Sequence, residues 1–345
     1  MFKRHEIFLK QTLVLAKKGR PYASPNPLVG AILVKNGKVI GSGYHKGFGK
    51  PHAEVEAISK CKNPKGTTLY VNLEPCSHHG KTPPCTDLII KSKIKEVVCA
   101  TNDPNPKVKG FQTLKKHGIK ITTGVLEQEA KELNAPFFKY QETGLPHITL
   151  KIASSIDFKI WSPACKTITC LQSRKYVHVL RSQVDGVVVG INTVLKDNPQ
   201  LTTRHTKGRN PTRIILDSKL RIPLKSKILK DSNVIICTTI KKSPKKSKLE
   251  KKAVILTFPT LKNLKPVLKK LASLEKINLL IEGGQKLNTS FLKQDLADKI
   301  LLFISDKTLE KKGLPAITEN SLKNYKLESI TKIKKDSLLT ITTKD

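Results

Sequence analysis

Two short segments of the chain contain side chains that commonly bind transition metals. The first, "PHAEVEAI", contains His52 and Glu54, and the second, "EPCSHHGKTPPC", contains Cys76 and Cys85. One imidazole nitrogen and two thiolates form a donor set typical of zinc, and three protein ligands leave a fourth position open for water, as in catalytic zinc sites. The residue types therefore predict a catalytic zinc site with His52, Cys76 and Cys85 as ligands.

Glu54 has the position expected of a proton carrier beside this metal. It lies two residues after His52, too offset for a natural co-ligand but near enough to reach a metal-bound water. Zinc lowers the pKa of such a water to about 7, and a carboxylate can then move protons to a leaving group. Base deaminases use this arrangement in their H-x-E…P-C-x-x-C pattern. Here the second cysteine departs from it, because eight residues separate Cys76 from Cys85.

Two other interpretations of these segments stay open from the residues alone. A structural zinc would take a fourth ligand, for which His78 or His79 is available. A His-x-Glu pair also occurs by chance, and an isolated cysteine is often only a small buried hydrophobe.

The elements around the two segments should bring them together. We expect a helix with Pro51 at its first position, which places His52 and Glu54 in the first turn. Cys76 follows the predicted strand "TTLYVNLEP", where the chain enters the next helix. Two helix N-termini at one place would favour thiolate and hydroxide charge.

Strand-like and helix-like segments alternate along the chain, which predicts an α/β fold. An amphipathic helix opens the sequence, Asn36-Gly37 predicts a hairpin, and "EQEAKELNAPFFKY" predicts one closing helix. The turn-rich segment "QETGLPH" then predicts a linker to a second α/β domain. In that domain "INLLIEGGQKLNTSFL" reads as a strand, a glycine pair and a helix. This is a weak signal for phosphate binding and fits an ordinary βα turn better.

Composition bounds the function without deciding it. The 345 residues suit two domains, and no apolar run is long enough to span a membrane. The seven scattered cysteines favour reduced thiols and a cytoplasmic location. The net charge of +37 suggests nucleic-acid binding, but only eight of the 64 basic residues are arginine. We therefore expect a solvated lysine surface and no nucleic-acid partner, with the run at 240–252 forming an exposed loop beside a helix.

Longer strings carry a family resemblance. "PCSHHGKTPPC", with "SPNPLVGA" before it and "NDPNPKVKG" after it, resembles the bifunctional riboflavin-biosynthesis deaminase–reductases, and the resemblance covers nearly the whole chain. It implies a cytidine-deaminase-like α/β/α domain over residues 1–145 and a dihydrofolate-reductase-like α/β domain over residues 146–345. The first would deaminate a diaminopyrimidinone ribosylamine 5′-phosphate with zinc. The second would use NADPH to reduce the ribosyl chain to ribityl.

The resemblance also implies roles for individual residues. In the first domain, Glu54 is the proton carrier and the three metal ligands are those named above. Substrate contacts in that domain are implied for Asn26, His45, His78, Lys81, Asp103 and Asn105. From the residues alone, Asn26 and Asn105 are equally well explained by Asx-Pro turns, and Lys81 by an ordinary surface lysine.

In the second domain the resemblance implies a substrate site and a cofactor site, with the two arginines holding a phosphate. The substrate residues are Lys151, Arg181, Leu201, Arg204 and Glu282. The cofactor residues are Ala153, Thr193, Asp197, Ser218 and Gly284.

The second domain also departs from the family's pattern. Phe158 stands where the family has glycine, and Cys165 and Thr167 stand where serine and tryptophan are usual. Trp161 is a candidate to fill the space of the missing indole. These changes affect the predicted cofactor and substrate wall, so a deaminase-only enzyme stays an alternative.

Two further alternatives belong to other classes, a nucleic-acid base deaminase and a zinc-stabilised RNA-binding protein. The first predicts salt-sensitive RNA binding, and the second predicts function without Glu54. The expected partner of the favoured interpretation is a small phosphorylated pyrimidine, with no membrane. The sequence leaves a homo-oligomer open.

Overall fold

The chain forms two compact units in a computed structural model, which describes residues 2–80, 82–163, 165, 167–206, 208–309, 313–317 and 322–344. The first unit comprises Met1–Gly144 and the second Leu145–Asp345. None of the described helices has the length and apolar character needed to cross a membrane.

The first unit is a five-stranded sheet with helices on both faces. The strand order is β2-β1-β3-β4-β5. Strand β1 is antiparallel to β2 and β3, whereas β3, β4 and β5 are parallel. The elements are α1 (Phe2–Lys17), β1 (Gly30–Lys35), β2 (Lys38–Tyr44), α2 (Ala53–Ser59), β3 (Thr68–Leu73), α3 (Cys85–Lys91), β4 (Glu96–Thr101), α4 (Gly110–Lys116), β5 (Lys120–Thr123), α5 (Glu127–Leu133) and α6 (Ala135–Thr143).

Side chains that alternate between the two faces of the sheet pack against helices on each side and so produce three layers. Successive side chains of a strand point to opposite faces of the sheet. On β1, Ala31 and Leu33 join a buried cluster with residues of α2, α3 and α4. Ile32 and Val34 join a second cluster with residues of α1 and α5. The predicted α/β/α layering of this unit is confirmed.

The predicted hairpin is also confirmed. Lys35 of β1 pairs with Lys38 of β2, and between them Asn36 and Gly37 have φ angles of 50° and 78°. Positive φ at both central residues is what a type I′ turn requires, and Asn-Gly adopts it with little strain.

Two details of the first unit correct the sequence predictions. Helix α2 begins at Ala53 with His52 as its N-cap, so Pro51 lies before the helix and not at its first position. The single closing helix is wrong as well, because α5 and α6 are separate and Asn134 lies between them. The Asn134 carboxamide bonds to the backbone of Leu28 in both directions, and this long-range contact holds it at the break.

The second unit is built on a nine-stranded sheet of order β11-β10-β9-β8-β12-β6-β13-β16-β15. The strands from β11 to β13 in this order are parallel, and β16 and β15 complete the sheet as antiparallel strands. The elements are β6 (His147–Ser154), β7 (Lys159–Trp161), α7 (Leu171–Gln183), β8 (Gly186–Gly190), α8 (Ile191–Asp197), β9 (Thr212–Leu216), a short 3-10 helix (Lys227–Leu229), β10 (Val234–Thr238), α9 (Pro244–Glu250), β11 (Val254–Thr257), α10 (Lys265–Ser273), β12 (Asn278–Ile281), α11 (Gln285–Lys293), β13 (Lys299–Ile304), β14 (Leu314–Pro315), β15 (Tyr325–Ile333) and β16 (Asp336–Thr343).

Both faces of the parallel strands are buried, as α/β sheets require. Leu279 and Ile281 of β12 belong to one apolar cluster, and Leu280 between them belongs to another. The predicted α/β class of this unit is confirmed. The basic run at 240–252 was predicted as a loop beside a helix, but helix α9 lies inside it, with the Ser243 hydroxyl accepting from the Lys246 amide.

Candidate active sites

The three predicted metal ligands meet at one end of the first sheet. His52 is the N-cap of α2, Cys85 is the first residue of α3, and Cys76 follows β3 in the loop that leads to α3. Their donor atoms all lie within 4.8 Å of one another, and no other such group of three occurs among the residues that the structure describes. Elements that start or end at the same sheet edge thus bring together ligands from distant positions in the chain.

The spacing of the donors fits a tetrahedral ion. Nδ1 of His52 lies 3.3 Å from Sγ of Cys85 and 3.5 Å from Sγ of Cys76. Zinc bonds of about 2.1 Å to nitrogen and 2.3 Å to sulfur at tetrahedral angles put neighbouring ligand atoms about 3.6 Å apart. The observed separations agree with that value within a few tenths of an ångström, so these residues fit zinc.

The local electrostatics favour a thiolate at Cys76. The Cys85 side chain donates to its sulfur, the Cys85 amide donates at 3.3 Å, and His52 lies beside it. Together these contacts lower the pKa of Cys76, whereas the same pairing and burial raise the pKa of the Cys85 thiol. A site that already stabilises one thiolate is suited to a divalent cation, which would stabilise both.

Glu54 lies in the first turn of α2 and is buried. Burial raises its pKa to about 7, against the opposing effect of the nearby His52. A carboxyl with a pKa near neutrality both gives up and takes back a proton readily. Glu54 is not one of the grouped metal donors, so its predicted position as a neighbour of the metal, not a ligand, agrees with the geometry.

A cavity of about 330 Å³ opens beside these residues. Its walls include Asn26, His45, His78, Asp103 and Asn105, five of the six predicted substrate contacts of the first domain. The sixth, Lys81, lies outside the described residues. The volume is within the range of small-molecule sites.

Hydrogen bonds orient His45 and Asn26 toward this cavity. Nδ1 of His45 lies 3.1 Å from the carbonyl oxygen of Pro51, which can only accept, so Nδ1 carries the proton. Nε2 of His45 therefore accepts from the Asn26 amide nitrogen, 3.1 Å away. Among the described contacts, this leaves the Asn26 carboxamide its carbonyl oxygen and its second N–H for a ligand.

The opposite wall is organised around Glu74. One oxygen of Glu74 accepts from the Phe111 amide at 2.9 Å, and the other from the Asp103 amide at 3.3 Å. Asp103 in turn accepts from the Asn105 amide at 2.8 Å, which is an Asx turn. Burial, with a contribution from the negative charge of Glu74, raises the pKa of Asp103 to about 6.

Sequence reasoning missed several residues of this site. Thr82 contacts the metal ligand His52, with its Oγ1 3.2 Å from Nε2. Glu74 is in the quoted motif but received no role, and Phe137 and Gln141 of α6 line the cavity from far along the chain. The position of Glu74 next to Pro75 and Cys76 was a usable signal, whereas nothing local marks the residues of α6.

In the second unit, the predicted substrate residues form a charged cluster. Arg181 of α7 makes a bidentate pair with Glu282, with distances of 2.6 Å from Nε and 2.9 Å from Nη2. Both side chains are about one-tenth exposed. Burial lowers the pKa of the nearby Lys151 against the opposing charge of Glu282. Nε and Nη2 of Arg181 donate to Glu282. This edge of the guanidinium is therefore not free to hold a phosphate, which was the role predicted for Arg181.

Arg204 has the more accessible position. It is exposed, and Nη1 lies 3.0 Å from Oε1 of Gln200. The backbone here is fixed by α7, because His178 accepts from the Arg204 amide at 3.2 Å. Leu201 is buried and holds a left-handed φ of 54°. Arg204 therefore stays the stronger candidate for an anionic substrate group.

The predicted cofactor residues are distributed over the carboxyl ends of adjacent strands. Ala153 lies near the end of β6, Gly284 follows β12, and Ser218 follows β9. Thr193 and Asp197 belong to α8, which follows β8. Strands β6, β12, β8 and β9 are consecutive in the sheet, and this edge is where open α/β sheets bind ligands.

The backbone at this edge leaves room for a bound group. Gly284 is the N-cap of α11, and a Cβ added there would meet nothing within 4 Å. A helix N-terminus with open space in front of it suits the phosphates of a dinucleotide. This edge therefore fits a phosphate group of a cofactor.

The departures from the family pattern have identifiable local structure. Phe158 takes a left-handed φ of 55°, as glycine would, and is 55% exposed. Cys165 donates to the carbonyl oxygen of Thr167, which also accepts from Lys307. The Trp161 ring lies 3.2 Å from Nζ of Lys196, the residue before Asp197 on α8. The only tryptophan of the chain thus contacts the helix that carries two predicted cofactor residues.

Comparison with known proteins finds a family model for each of the two domains. A family model described as the cytidine and deoxycytidylate deaminase zinc-binding region matches residues 2–101, and the RibD C-terminal domain model matches residues 146–339. The riboflavin biosynthesis protein RibD of Aquifex aeolicus is 48% identical over 309 residues, which cover 88% of this chain and 87% of the relative.

Solved structures extend the similarity to the whole chain. RibD from Acinetobacter baumannii, form 1, is 33% identical, with a TM-score of 0.92 and complete coverage of both chains. A diaminohydroxyphosphoribosylaminopyrimidine deaminase/5-amino-6-(5-phosphoribosylamino)uracil reductase from Thermotoga maritima is 38% identical, with a TM-score of 0.89 and coverage of 99% of both chains.

The fold and the two sites thus define a zinc-dependent deaminase domain joined to a reductase domain. The chain belongs to the RibD family, the bifunctional deaminase–reductases of riboflavin biosynthesis. The resemblance stated from the sequence is therefore confirmed, and so is the expectation of a bifunctional enzyme.

Proposed function

We propose that this chain deaminates a diaminopyrimidinone ribosylamine 5′-phosphate in its first domain and then reduces the ribosyl group to ribityl with NADPH in its second. The observation that carries the proposal is a cavity lined by His52, Cys76 and Glu54 together with polar side chains suited to a pyrimidine. The third donor, Cys85, lies within 4.8 Å of the other two. The deaminase and reductase activities for which the Thermotoga maritima relative is named support the choice of substrate.

In the first domain we assign the ring contacts to Asn26 and His45. Asn26 donates one N–H to His45 and offers its carbonyl oxygen and its second N–H to the pyrimidine. His78, Asp103 and Asn105 surround the rest of the cavity and would contact the ribose phosphate. We extend this set to Lys81, whose ammonium would add a point charge for the phosphate.

The chemistry of deamination divides between the metal and Glu54. Held by the three ligands, zinc supplies an activated water at neutral pH. Glu54 takes a proton at its carboxylate and delivers it to the departing amino group, for which a pKa of about 7 is well matched.

In the second domain we assign substrate contacts to Lys151, Leu201, Arg204 and Glu282. Arg204 is an exposed guanidinium suited to a phosphate, and Arg181 holds the Glu282 carboxylate in place through its bidentate contact. Ala153, Thr193, Asp197, Ser218 and Gly284 would line the NADPH site. The protein's contribution to hydride transfer is chiefly alignment of cofactor and sugar, with Lys151 donating a proton or hydrogen bond to the sugar atom that gains charge.

Incubation of the protein with the diaminopyrimidinone substrate tests both halves. We expect ammonia release without NADPH, and conversion to the ribityl product with oxidation of NADPH when it is added. Accumulation of the unreduced uracil with NADPH present would leave a deaminase-only enzyme. A lack of ammonia release would contradict the assignment of the first domain.

The same assignment bears on the cellular location and the oligomeric state of the enzyme. We propose a cytoplasmic enzyme, since the described cysteines are all free thiols and its substrates are small phosphorylated metabolites. A homo-oligomer stays a proposal, which light scattering of the purified chain measures directly.

A further inference from the structure

We propose that Thr82 is a positioning residue of the metal site, whose hydroxyl holds Nε2 of His52 so that Nδ1 faces the two sulfurs. The inference rests on the metal site of the proposed function and deepens it. It gives the long segment between Cys76 and Cys85 a role in metal binding, in addition to the role in phosphate binding assigned to Lys81.

The two nitrogens of His52 have separate partners. Nδ1 lies 3.3 Å from Sγ of Cys85 and 3.5 Å from Sγ of Cys76, whereas Nε2 lies 3.2 Å from Oγ1 of Thr82. A neutral imidazole has one protonated and one free nitrogen. If Nδ1 is free to bind the metal, Nε2 carries the proton and donates it to the Thr82 hydroxyl. A metal at Nδ1 would set the tautomer, and the Thr82 hydroxyl, which can donate or accept, would then accept from Nε2 and restrain the ring orientation.

The main chain around Thr82 is fixed by bonds of its own. The Thr82 carbonyl accepts from the Gly80 amide at 3.2 Å. At the start of the loop the Ser77 hydroxyl accepts from the Lys109 amide at 2.7 Å. At its end the Cys85 amide donates to Sγ of Cys76 at 3.3 Å. A hydroxyl carried by a loop tied at these points can restrain an imidazole ring.

Ligand positioning of this kind has a known magnitude. Ligating histidines generally donate their second N–H to a fixed acceptor, and loss of that acceptor weakens metal binding about 10- to 100-fold. Among the described residues no other side chain forms a hydrogen bond with Nε2, so Thr82 is the acceptor that the geometry offers. Thr82 also lines the cavity, and for that reason the test must be made without substrate.

The decisive measurement is the zinc dissociation constant of the full chain, obtained by competition with a chromophoric chelator. Thr82→Val keeps the shape of the side chain and removes the acceptor, so we expect zinc binding about 10- to 100-fold weaker. Thr82→Ser keeps the hydroxyl and should bind zinc within about threefold of the wild type. Thr86→Val is the matched control, since among the described residues the hydrogen bond of the Thr86 hydroxyl is to Asp87, at 3.4 Å, and its loss should leave zinc affinity unchanged.

A double-mutant cycle separates positioning from a general effect on the loop. In a His52→Ala background, Thr82→Val should no longer alter zinc affinity, because the ring that Thr82 holds is absent. Zinc affinity of Thr82→Val within twofold of wild type would overturn the inference, as would an equal loss in the His52→Ala background. If the wild-type chain bound no zinc, the metal site itself would be refuted, so the two failures are distinguishable.

Discussion

The two active sites use their charged side chains differently. In the first domain, Glu54 and Asp103 are carboxyls without an ion-pair partner in the described structure, and burial raises the pKa of each. In the second domain, Glu282 is held by Arg181, whose charge lowers the pKa of Glu282 although burial alone would raise it. The first site keeps groups that exchange protons near neutral pH, whereas the second keeps a permanent charge pair.

This difference corresponds to the two kinds of chemistry. Deamination moves protons onto a leaving group and needs a carboxyl that titrates near the working pH. Hydride transfer from a nicotinamide cofactor depends chiefly on alignment, and a rigid ion pair with Lys151 nearby provides a fixed frame for it. Four predictions test the contrast, in order of decreasing effect.

Replacement of Glu54 should abolish one activity and spare the other. Glu54→Gln removes the proton carrier without changing its size, so we expect deamination to fall about 10²- to 10⁴-fold. Reduction of the already deaminated substrate by NADPH should stay at the wild-type rate. Glu56→Gln is the matched control, because Glu56 pairs with Lys46 and Lys60 outside the cavity. Loss of deamination in Glu56→Gln to the same degree would contradict the assignment.

Removal of the charge of Glu282 should damage the second domain in stability as well as activity. Glu282→Gln leaves the Arg181 guanidinium buried without its counter-ion, which costs about 3–5 kcal/mol for well-buried pairs. Urea denaturation followed through the C-terminal transition should detect this loss, and ammonia release should continue. Glu328→Gln, at an exposed contact of 3.9 Å with Lys299, should change stability by less than about 1 kcal/mol. Equal losses of unfolding free energy for the two substitutions would show that the buried pair contributes no more to stability than the exposed one.

The raised pKa of Asp103 predicts a pH-dependent stability. The folded state binds the proton more tightly than the unfolded chain, since its pKa is about 6 in place of 3.8. Stability contributed by this group therefore falls as pH rises from about 4 to about 6 and is constant above that. Asp103→Asn keeps the acceptor for the Asn105 amide and should lose this fall. Its stability relative to wild type, from urea unfolding, should increase between pH 4.5 and pH 7.5, whereas a constant difference would contradict the shift.

The smallest effect is expected at Phe158. A non-glycine residue with φ of 55° is strained, and its side chain is largely exposed. Phe158→Gly should therefore raise the free energy of unfolding by about 0.5–1 kcal/mol. Thermal unfolding would measure the gain, with Phe48→Gly, at a residue without positive φ, as the destabilised comparison. A loss of stability in Phe158→Gly would show that the phenyl ring contributes packing that outweighs the strain.

The sequence by itself determined the α/β class of both domains, and it predicted the metal ligands, which the structure brings together, and the proton carrier. His52, Cys76 and Cys85 are chemically specific, and the alternation along β1 and the Asn36-Gly37 turn are local signals that act over a few residues. The resemblance to the family added Asn26, His45, Asp103 and Asn105 as predicted substrate contacts. All four line one cavity in the structure. Their roles in binding stay predictions.

Only the tertiary structure decided the contacts that adjust these residues. Thr82 lies 30 residues from His52, and Arg181 lies 101 residues from Glu282. Pro136 in the first turn of α6 is a local signal for the break after α5, but the bond of the Asn134 side chain to Leu28, 106 residues earlier, is not. Residue propensity and hydrophobic periodicity predict the local conformation of a few consecutive residues. These contacts depend instead on which sheet edges and loops meet after folding. Their partners therefore could not be read from local sequence.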